Sequence, residues 1–258
     1  NLRRLARHLS IFRTPRRRDL HFAAAAVAAI ALLLITLRLE EPPHKRPSGD
    51  RLDDLRALRG NFTHPTLLWI FALSLLMYVF SHIPFVFGQP FIAEAMAQLG
   101  LRAEAPLISG FVSAIMMVLS VLVSLIAPRI RKRIGLAAIL LLAFAMQIGL
   151  VSALALSGSA LVIGLLFLRM VPNSLSQPFI QARIQPLLED GTRATYLSLQ
   201  SLTGRLVFAA TLLLASGSAS SDANLSFAQI HIIAGFYAFA GGFALIALAM
   251  TARNARLE

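Results

Sequence analysis

The residues best suited to chemistry are polar side chains that recur at intervals of three or four positions within long apolar stretches. Such side chains share one face of a helix, because positions three and four apart are neighbours on its surface. Hydroxyl, amide and imidazole groups bind polar molecules by hydrogen bonds, and a guanidinium attracts anions. The candidate cavity residues are Ser74, Tyr78, His82 and Gln89, then Arg169, Asn173 and Gln177 with Gln181 continuing the spacing, then Ser198, Ser201 and Arg205.

The apolar stretches that carry these residues are long enough to cross a bilayer, which takes about 20 mostly apolar residues per helix. Of 258 residues, 57% are hydrophobic and only 14% are charged, which is too apolar for one water-soluble core. No strand-type alternation appears, and open sheet edges cannot face lipid. We therefore predict an all-α fold, a polytopic transmembrane helical bundle. The predicted spans are 20–38, 66–90, 106–128, 134–156, 159–182, 194–216 and 228–251.

Each polar stripe has a simpler interpretation. Ser, Asn and Gln also hydrogen-bond between helices for packing, where each contributes about 0.6 to 2 kcal/mol. His82 is either a proton relay near neutral pH or a hydrogen-bonded packing residue. Arg169 and Arg205 differ, because a guanidinium near mid-membrane costs at least about 2.5 to 3.5 kcal/mol. The predicted spans contain no Asp or Glu, so we expect water, an anion or a carboxylate from elsewhere beside these arginines.

Several enzyme classes lack their residues. The chain has no cysteine, which excludes thiolate nucleophiles and cysteine-ligated metals. It has neither a Gly-x-Ser-x-Gly elbow nor a His-Glu-x-x-His motif, and Glu189-Asp190 is thin support for a metal-dependent transferase. We predict that the chain is not an enzyme and uses no metal or cofactor.

Lysine and arginine predict the orientation, because positive loops are retained in the cytoplasm. Loops on one side hold the clusters of 38–64 and 129–133 and the C-terminal arginines, whereas the opposite loops hold Arg102 alone. We expect a cytoplasmic C-terminus and a basic loop of Arg129, Arg131, Lys132 and Arg133. The predicted parts are a basic segment 1–19, a first transmembrane helix 20–38, a cytoplasmic linker 39–64 with a short amphipathic helix, a six-helix bundle 65–252 and a cytoplasmic tail 253–258.

The seven arginines before residue 19 contradict this orientation, because a first span at 20–38 would place them outside. One explanation is a longer parent chain whose preceding helices force this segment across. Another is an interfacial helix, with Leu2, Leu5, Leu9 and Phe12 on one face, held by anionic lipid. The formal net charge is +12, but the arginines lie between apolar runs and do not form one soluble basic face. We therefore predict no nucleic-acid binding.

The positions of proline within the predicted spans indicate helices that move. Pro84 and Pro90 are expected to interrupt the second span, and Pro172 and Pro178 the fifth. Broken helices beside a cavity are typical of membrane transporters. The abundance of Ala, Leu and Arg is compatible with a bacterial inner membrane.

Residues 20–252 resemble the major facilitator superfamily, from its sixth helix to its twelfth. The resemblance is carried by Leu39-Glu40-Glu41-Pro42, by Phe87-Gly88-Gln89-Pro90-Phe91, by the segment Gly191 to Leu199, and by the loop Pro128 to Gly135. That loop lacks the aspartate of the fuller signature, which leaves its gating role open.

The resemblance implies a C-terminal half of a transporter that moves a small-molecule substrate, with a coupling proton or ion, by alternating access. Helices seven, eight, ten and eleven of the family line the cavity, while nine and twelve face lipid. Helix eight here carries a weaker stripe at Ser109, Ser113, Ser120 and Ser124. The missing N-terminal half or a second half-transporter would complete the transporter. The alternatives are a half-transporter subunit and a non-transporting membrane scaffold or receptor.

Overall fold

The computed structural model describes residues 15–38, 60–101, 104–216 and 227–255, and every regular element in these ranges is helical. The chain forms two compact units, 1–48 and 49–258. The first contains helix α1, Pro15–Arg38, in which the Thr36 hydroxyl donates to the Leu32 carbonyl at 2.8 Å. Helix α1 begins within the predicted basic segment. The rest of that segment, most of the linker with its amphipathic helix, and the end of the tail lie outside the described residues.

The second unit is a bundle of seven described helices. They are α2 Pro65–Gln98, α3 Ala105–Ile134, α4 Leu136–Leu156, α5 Leu161–Leu166, α6 Val171–Ile184, α7 Asp190–Ser216 and α8 Phe227–Ala252, with a short 3-10 turn at Gln185–Leu187 between α6 and α7.

Helices α2, α3, α4 and α8 are each long and apolar enough to cross a membrane. The all-α, transmembrane class of fold is therefore confirmed. Helix α2 runs eight residues past its predicted end and takes in the half-buried Glu94. Its 34 residues span roughly 51 Å, more than the hydrocarbon thickness, so its ends extend beyond the bilayer core.

The fifth predicted span, 159–182, is wrong as one helix. It divides into α5 and α6, with residues 167–170 forming a turn in which amides bond three residues back, as Arg169 does to Leu166 at 3.1 Å. Pro172 explains the new start, because proline lacks an amide proton and is tolerated in a first helical turn. The prediction that Pro84 and Pro90 interrupt the second span is also wrong, since α2 continues through both, and α6 likewise continues through Pro178.

The predicted basic loop is helical instead. Helix α3 continues through Pro128 to Ile134, and Gly135 alone separates it from α4. Gly135 has φ 84°, a conformation that residues with a side chain rarely adopt, and its amide donates to the Arg131 carbonyl at 2.9 Å. The four basic residues therefore stand on the final turns of α3.

The core of the bundle lies where α4 and α8 pack against one side of α2. Phe80 and Phe144 meet edge to face with ring centroids 5.3 Å apart, and Gly241 lets α8 approach them closely. Hydrogen bonds tie α2 to two other helices: Trp69 Nε1 donates to the Leu248 carbonyl at 3.0 Å, and the Tyr196 hydroxyl to the Leu67 carbonyl at 2.8 Å. This scaffold fixes the rotation of α2, and hence which side chains it presents to α6 and α7.

Two helices expose broad apolar faces. Helix α3 presents Leu107, Val121 and Leu125, and α8 presents Phe236 and Phe243. In water such faces would be an aggregation liability, whereas hydrocarbon solvates them. The surface of the bundle is therefore that of an integral membrane protein.

Candidate functional site

A cavity of about 350 Å³ lies between α2, α6 and α7, and we call it the polar cavity. Helix α2 contributes its Ser74, Tyr78 and His82 positions, and the other two helices face it with amides and hydroxyls. The lining comprises Ser74, Met77, Tyr78, Ser81, His82, Asn173, Gln177, Ile180, Gln181, Leu197, Gln200 and Ser201. Hydrogen-bonding groups thus converge from three helices on one space.

The α2 wall is organised by its own backbone. His82 Nδ1 lies 2.7 Å from the Tyr78 carbonyl oxygen, and Ser81 Oγ lies 3.2 Å from the same nitrogen. Because a carbonyl can only accept, the imidazole proton sits on Nδ1, which leaves Nε2 as an acceptor in the neutral ring. The Tyr78 and His82 rings stack with centroids 4.2 Å apart, and Phe208 of α7 lies 5.1 Å from the His82 ring. The imidazole is therefore held in one orientation.

Close approach of α7 completes this wall. A Cβ atom added at Gly204 would lie 3.2 Å from the Tyr78 ring, so the absence of a side chain lets the two helices meet. The helices would have to shift by a few tenths of an ångström to take alanine there.

Two polar atoms of the polar cavity are buried without a hydrogen-bond partner: Ser74 Oγ and Gln200 Nε2. A buried donor or acceptor left unpaired costs about 1 to 3 kcal/mol. Both residues line the polar cavity, so a change of side-chain rotamer would bring either group to water or a ligand there and remove that cost. Unpaired groups that face a cavity are typical of a site that is filled in use.

The α6 wall is anchored from behind. Gln147 of α4 donates from Nε2 to Asn173 Oδ1 at 3.1 Å, and Ser174 hydrogen-bonds Ser120 of α3 at 2.6 Å. Gln177 and Gln181 lie farther along α6 and line the polar cavity. Packing bonds and cavity residues therefore alternate on one short helix.

Four of the predicted site residues do not line the polar cavity. Gln89, Ser198 and Arg205 are exposed, and Arg169 is half-buried at the turn between α5 and α6. The Arg169 guanidinium carbon lies 5.2 Å from the centre of the Phe85 ring, a cation–π contact. Phe85 in turn lies 6.4 Å from the His82 ring. A role for these four in binding stays a prediction.

Some lining residues escape the sequence pattern. Ser81 and Gln200 lie beside predicted residues, at positions off the four-residue spacing, because the cavity covers more than one line of each helix. Gln147 stands in a helix predicted to be lipid-facing, yet it is buried and fixes Asn173. Nothing in a single sequence distinguishes a glutamine that positions a cavity residue from one that only packs between helices. The described residues contain no cluster of three or more His, Cys, Asp or Glu that could hold a metal ion.

The predicted basic residues lie together at the end of α3. Arg129, Arg131, Lys132 and Arg133 occupy two consecutive turns. The Arg131 guanidinium carbon stands 5.1 Å from the centre of the Phe179 ring of α6. This end of α3 therefore contacts α6, which is one of the three helices that line the polar cavity.

The sequence model of the Major Facilitator Superfamily matches residues 20–212 of the 258. The chain has no significant match among curated proteins. The match runs from α1 into α7 and takes in all three helices of the polar cavity. The chain therefore belongs to the Major Facilitator Superfamily, a family of membrane transporters.

Proposed function

We propose that the chain is the C-terminal half of a secondary transporter that moves a small polar solute by alternating access. The polar cavity carries this proposal, because three helices converge there with amides, hydroxyls and two unpaired buried polar atoms. A volume of about 350 Å³ suits a small solute. The turn that divides α5 from α6 supports the mechanism, since discontinuous helices border many transport sites.

The lining favours a solute that is rich in hydrogen-bonding groups and carries little net charge. It contains no Lys, Arg, Asp or Glu, so a full charge would be buried there without a partner. An anionic solute would need Arg169 or Arg205, which lie outside the polar cavity. The stacked Tyr78 and His82 rings offer a flat surface beside the amides.

The wider setting completes the proposal. The missing N-terminal half or a second half-transporter would cover the polar cavity and rock against this bundle. The distribution of basic residues supports a cytoplasmic C-terminus, and the composition suits a bacterial inner membrane. His82 is the candidate for proton coupling, because its imidazole faces the polar cavity.

Water access tests the polar cavity first. The chain has no cysteine, so single cysteines can be introduced without a background. We expect Gln177→Cys and Ser201→Cys in membrane vesicles to react with a charged, water-soluble thiosulfonate at least about tenfold faster than Ala143→Cys and Val151→Cys, because reaction requires a hydrated thiolate. The two control positions are fully buried in the apolar core. Equal rates at all four positions would contradict a water-filled cavity.

Transport is the second test. The chain is expressed with its native upstream sequence, and vesicles are screened with radiolabelled sugars, polyols and neutral amino acids. We expect one class to protect Gln177→Cys from the reagent and to accumulate in the vesicles. Gln177→Leu should reduce uptake about tenfold or more, because the bound solute loses a hydrogen-bond partner. Gln98→Leu, an exposed glutamine outside the polar cavity, is the matched control and should leave uptake unchanged. Protection without uptake would favour a receptor instead.

A further inference from the structure

The two ring nitrogens of His82 have different surroundings in the polar cavity. Nδ1 lies 2.7 Å from the Tyr78 carbonyl oxygen, and the Ser81 hydroxyl donates its own proton to that oxygen at 2.9 Å. Because the Ser81 proton is used there, Nδ1 carries the ring proton and donates it to Tyr78. Among the described residues, none hydrogen-bonds Nε2. The lone pair of Nε2 is therefore the acceptor that His82 offers to the polar cavity.

A histidine bonded to its own helix has a simpler explanation, because the contact with Tyr78 satisfies Nδ1 wherever the ring packs. That explanation does not account for Nε2. A packing histidine directs its second nitrogen at a donor on a neighbouring helix. The side chain of α7 that lies against the His82 ring is Phe208, which has no polar atom.

The opposite end of the polar cavity offers a donor. Tyr78 abuts Gly204, and four residues further along both helices His82 lies beside Phe208, so α2 and α7 run side by side in the same direction. Gln200, whose Nε2 is unpaired, stands eight positions before Phe208. At about 1.5 Å per residue, these eight positions span roughly 12 Å along the helix. An acceptor and an unpaired amide donor therefore stand at opposite ends of one cavity.

The walls of the polar cavity also have apolar parts, from Met77, Ile180 and Leu197. A hydroxyl group placed against such a wall loses its hydrogen bonds to water without replacing them. A solute with polar edges and flat apolar faces avoids this loss, whereas a polyol has hydroxyls on all sides. The lining therefore favours a ring with polar edges over a polyol.

We propose that the solute donates an N–H group to His82 Nε2, and that a proton bound at this nitrogen excludes the solute. The proposal rests on the transport function proposed above. It describes the solute as a neutral molecule with a ring N–H at one end and an oxygen acceptor for Gln200 at the other, as in a nucleoside. Protonation adds a proton from hydronium to the Nε2 lone pair and leaves the ring with two donors and no acceptor. A solute N–H then meets a ring N–H, whereas a solute hydroxyl can rotate and accept.

Mild acid acts on His82 itself and not on its neighbours. The other titratable or charged groups around the ring are Tyr78 on α2, Arg169 across Phe85 and Arg205 on α7, while α6 lines the polar cavity with uncharged side chains. Of these types of side chain, only histidine ordinarily changes charge between pH 5 and 8. No carboxylate of the described residues lines the polar cavity, so the proton reaches and leaves Nε2 through water. Proton and solute therefore share one route and one atom.

Equilibrium exchange of radiolabelled solutes tests the proposal. The vesicles hold the chain with its native upstream sequence and have the same pH on both sides. The probes are uridine, which has a ring N–H, 3-methyluridine, in which a methyl group replaces that proton, and mannitol, which has hydroxyls only. We expect uridine to exchange about tenfold more slowly at pH 5.5 than at pH 7.5, because protonation removes the acceptor. At pH 7.5, 3-methyluridine should exchange at least about tenfold more slowly than uridine, because it has no proton to donate.

The variant His82→Gln separates hydrogen bonding from titration. The glutamine oxygen accepts a hydrogen bond but takes up no proton in this range. Uridine should therefore exchange more slowly than with the unmodified chain, and equally at both pH values. His64→Gln is the control, because His64 is exposed at the start of α2 and does not line the polar cavity. This control should keep the fall in acid.

The possible results are distinct. Equal exchange of uridine and 3-methyluridine would overturn the proposal, as would a fall in acid that persists in His82→Gln. Exchange of mannitol alone would also overturn it, but would leave the transport function standing. Absence of transport for every solute would overturn both. Should His82→Gln fail to fold, the comparison of uridine with 3-methyluridine in the unmodified chain decides.

Discussion

Helix α2 has two sides that are built in opposite ways. On one side, Phe80 packs against Phe144, and Gly241 lies against Phe80 and Ile148; we call these four residues the packed seam. On the other, Tyr78 and His82 face the polar cavity, where Ser74 Oγ has no partner. Residues only two positions apart on α2 therefore belong to an apolar packing contact on one side and to the wall of the polar cavity on the other.

The difference shows where stability and function are divided. Lipid is as apolar as a leucine side chain, so the hydrophobic effect does not hold membrane helices together, and close packing does. The packed seam supplies this packing. The polar cavity leaves atoms unpaired, an arrangement that costs stability and suits ligand binding. Substitutions should therefore separate the two sides by their effects on folding and on uptake.

The largest expected effect on folding comes from Phe144→Ala. Phe144 is fully buried and contacts Phe80, so truncation leaves a cavity that costs about 3 to 5 kcal/mol of unfolding free energy. Unfolding by sodium dodecyl sulfate in mixed micelles can be followed by the fluorescence of the single tryptophan, Trp69. Phe111→Ala is the control, because Phe111 is 62% exposed. Similar losses in both variants would contradict a packed seam.

A smaller effect is expected from adding a methyl group to the packed seam. A Cβ atom at Gly241 would lie 2.6 Å from Cε1 and Cζ of Phe80 and 3.0 Å from Ile148 Cγ1. Gly241→Ala should therefore lower the unfolding free energy by about 1 to 3 kcal/mol. Its neighbour Gly242 has nothing within 4 Å of the added atom, so Gly242→Ala should be neutral or stabilising through helix propensity. The same micelle titration compares the two, and a loss at Gly242 that equals the loss at Gly241 would refute the contact.

The hydrogen bond between Gln147 and Asn173 joins the packed side of the bundle to the polar cavity. A double-mutant cycle with Gln147→Leu and Asn173→Leu should give a coupling energy of about 0.6 kcal/mol, the average for such bonds between membrane helices. Each single variant is also measured for uptake. Gln147 does not line the polar cavity. We nevertheless expect Gln147→Leu to reduce uptake, because Asn173 loses its fixed orientation. A coupling energy of zero would show that the bond does not form in the membrane.

The smallest loss of stability is expected from Ser74→Ala. Its buried hydroxyl has no partner, so its removal should leave the unfolding free energy unchanged or raise it by up to about 1 to 3 kcal/mol, while uptake falls. Ser120→Ala, which breaks the bond to Ser174, should do the reverse. Loss of stability without loss of uptake in Ser74→Ala would place this serine among the packing residues.

Local pattern allowed much of this arrangement to be predicted. Ser74, Tyr78 and His82 share a face because a helix repeats every 3.6 residues, and the same holds for Asn173 and Gln177. Their convergence on one cavity needed only that both helices turn those faces towards each other. The pattern could not exclude Arg169 or Gln89, which extend the same lines beyond the polar cavity.

Other features depend on contacts between distant parts of the chain. Pro84 and Pro172 look alike in sequence, yet only the second accompanies a helix break, because neighbouring helices decide whether a distorted turn is tolerated. Gln147 gained its position beside Asn173 only through the packing of α4 against α6.

The sequence by itself determined the class of the protein, its apolar helices and the polar faces they carry, because these follow from composition and from the fixed geometry of a helix. Only the tertiary structure decided which polar groups share the polar cavity and which of them remain unpaired. Those outcomes depend on helix rotation and on side-chain volumes at contacts between α2, α4, α6 and α8. Such contacts join residues far apart in the chain, where local periodicity carries no information.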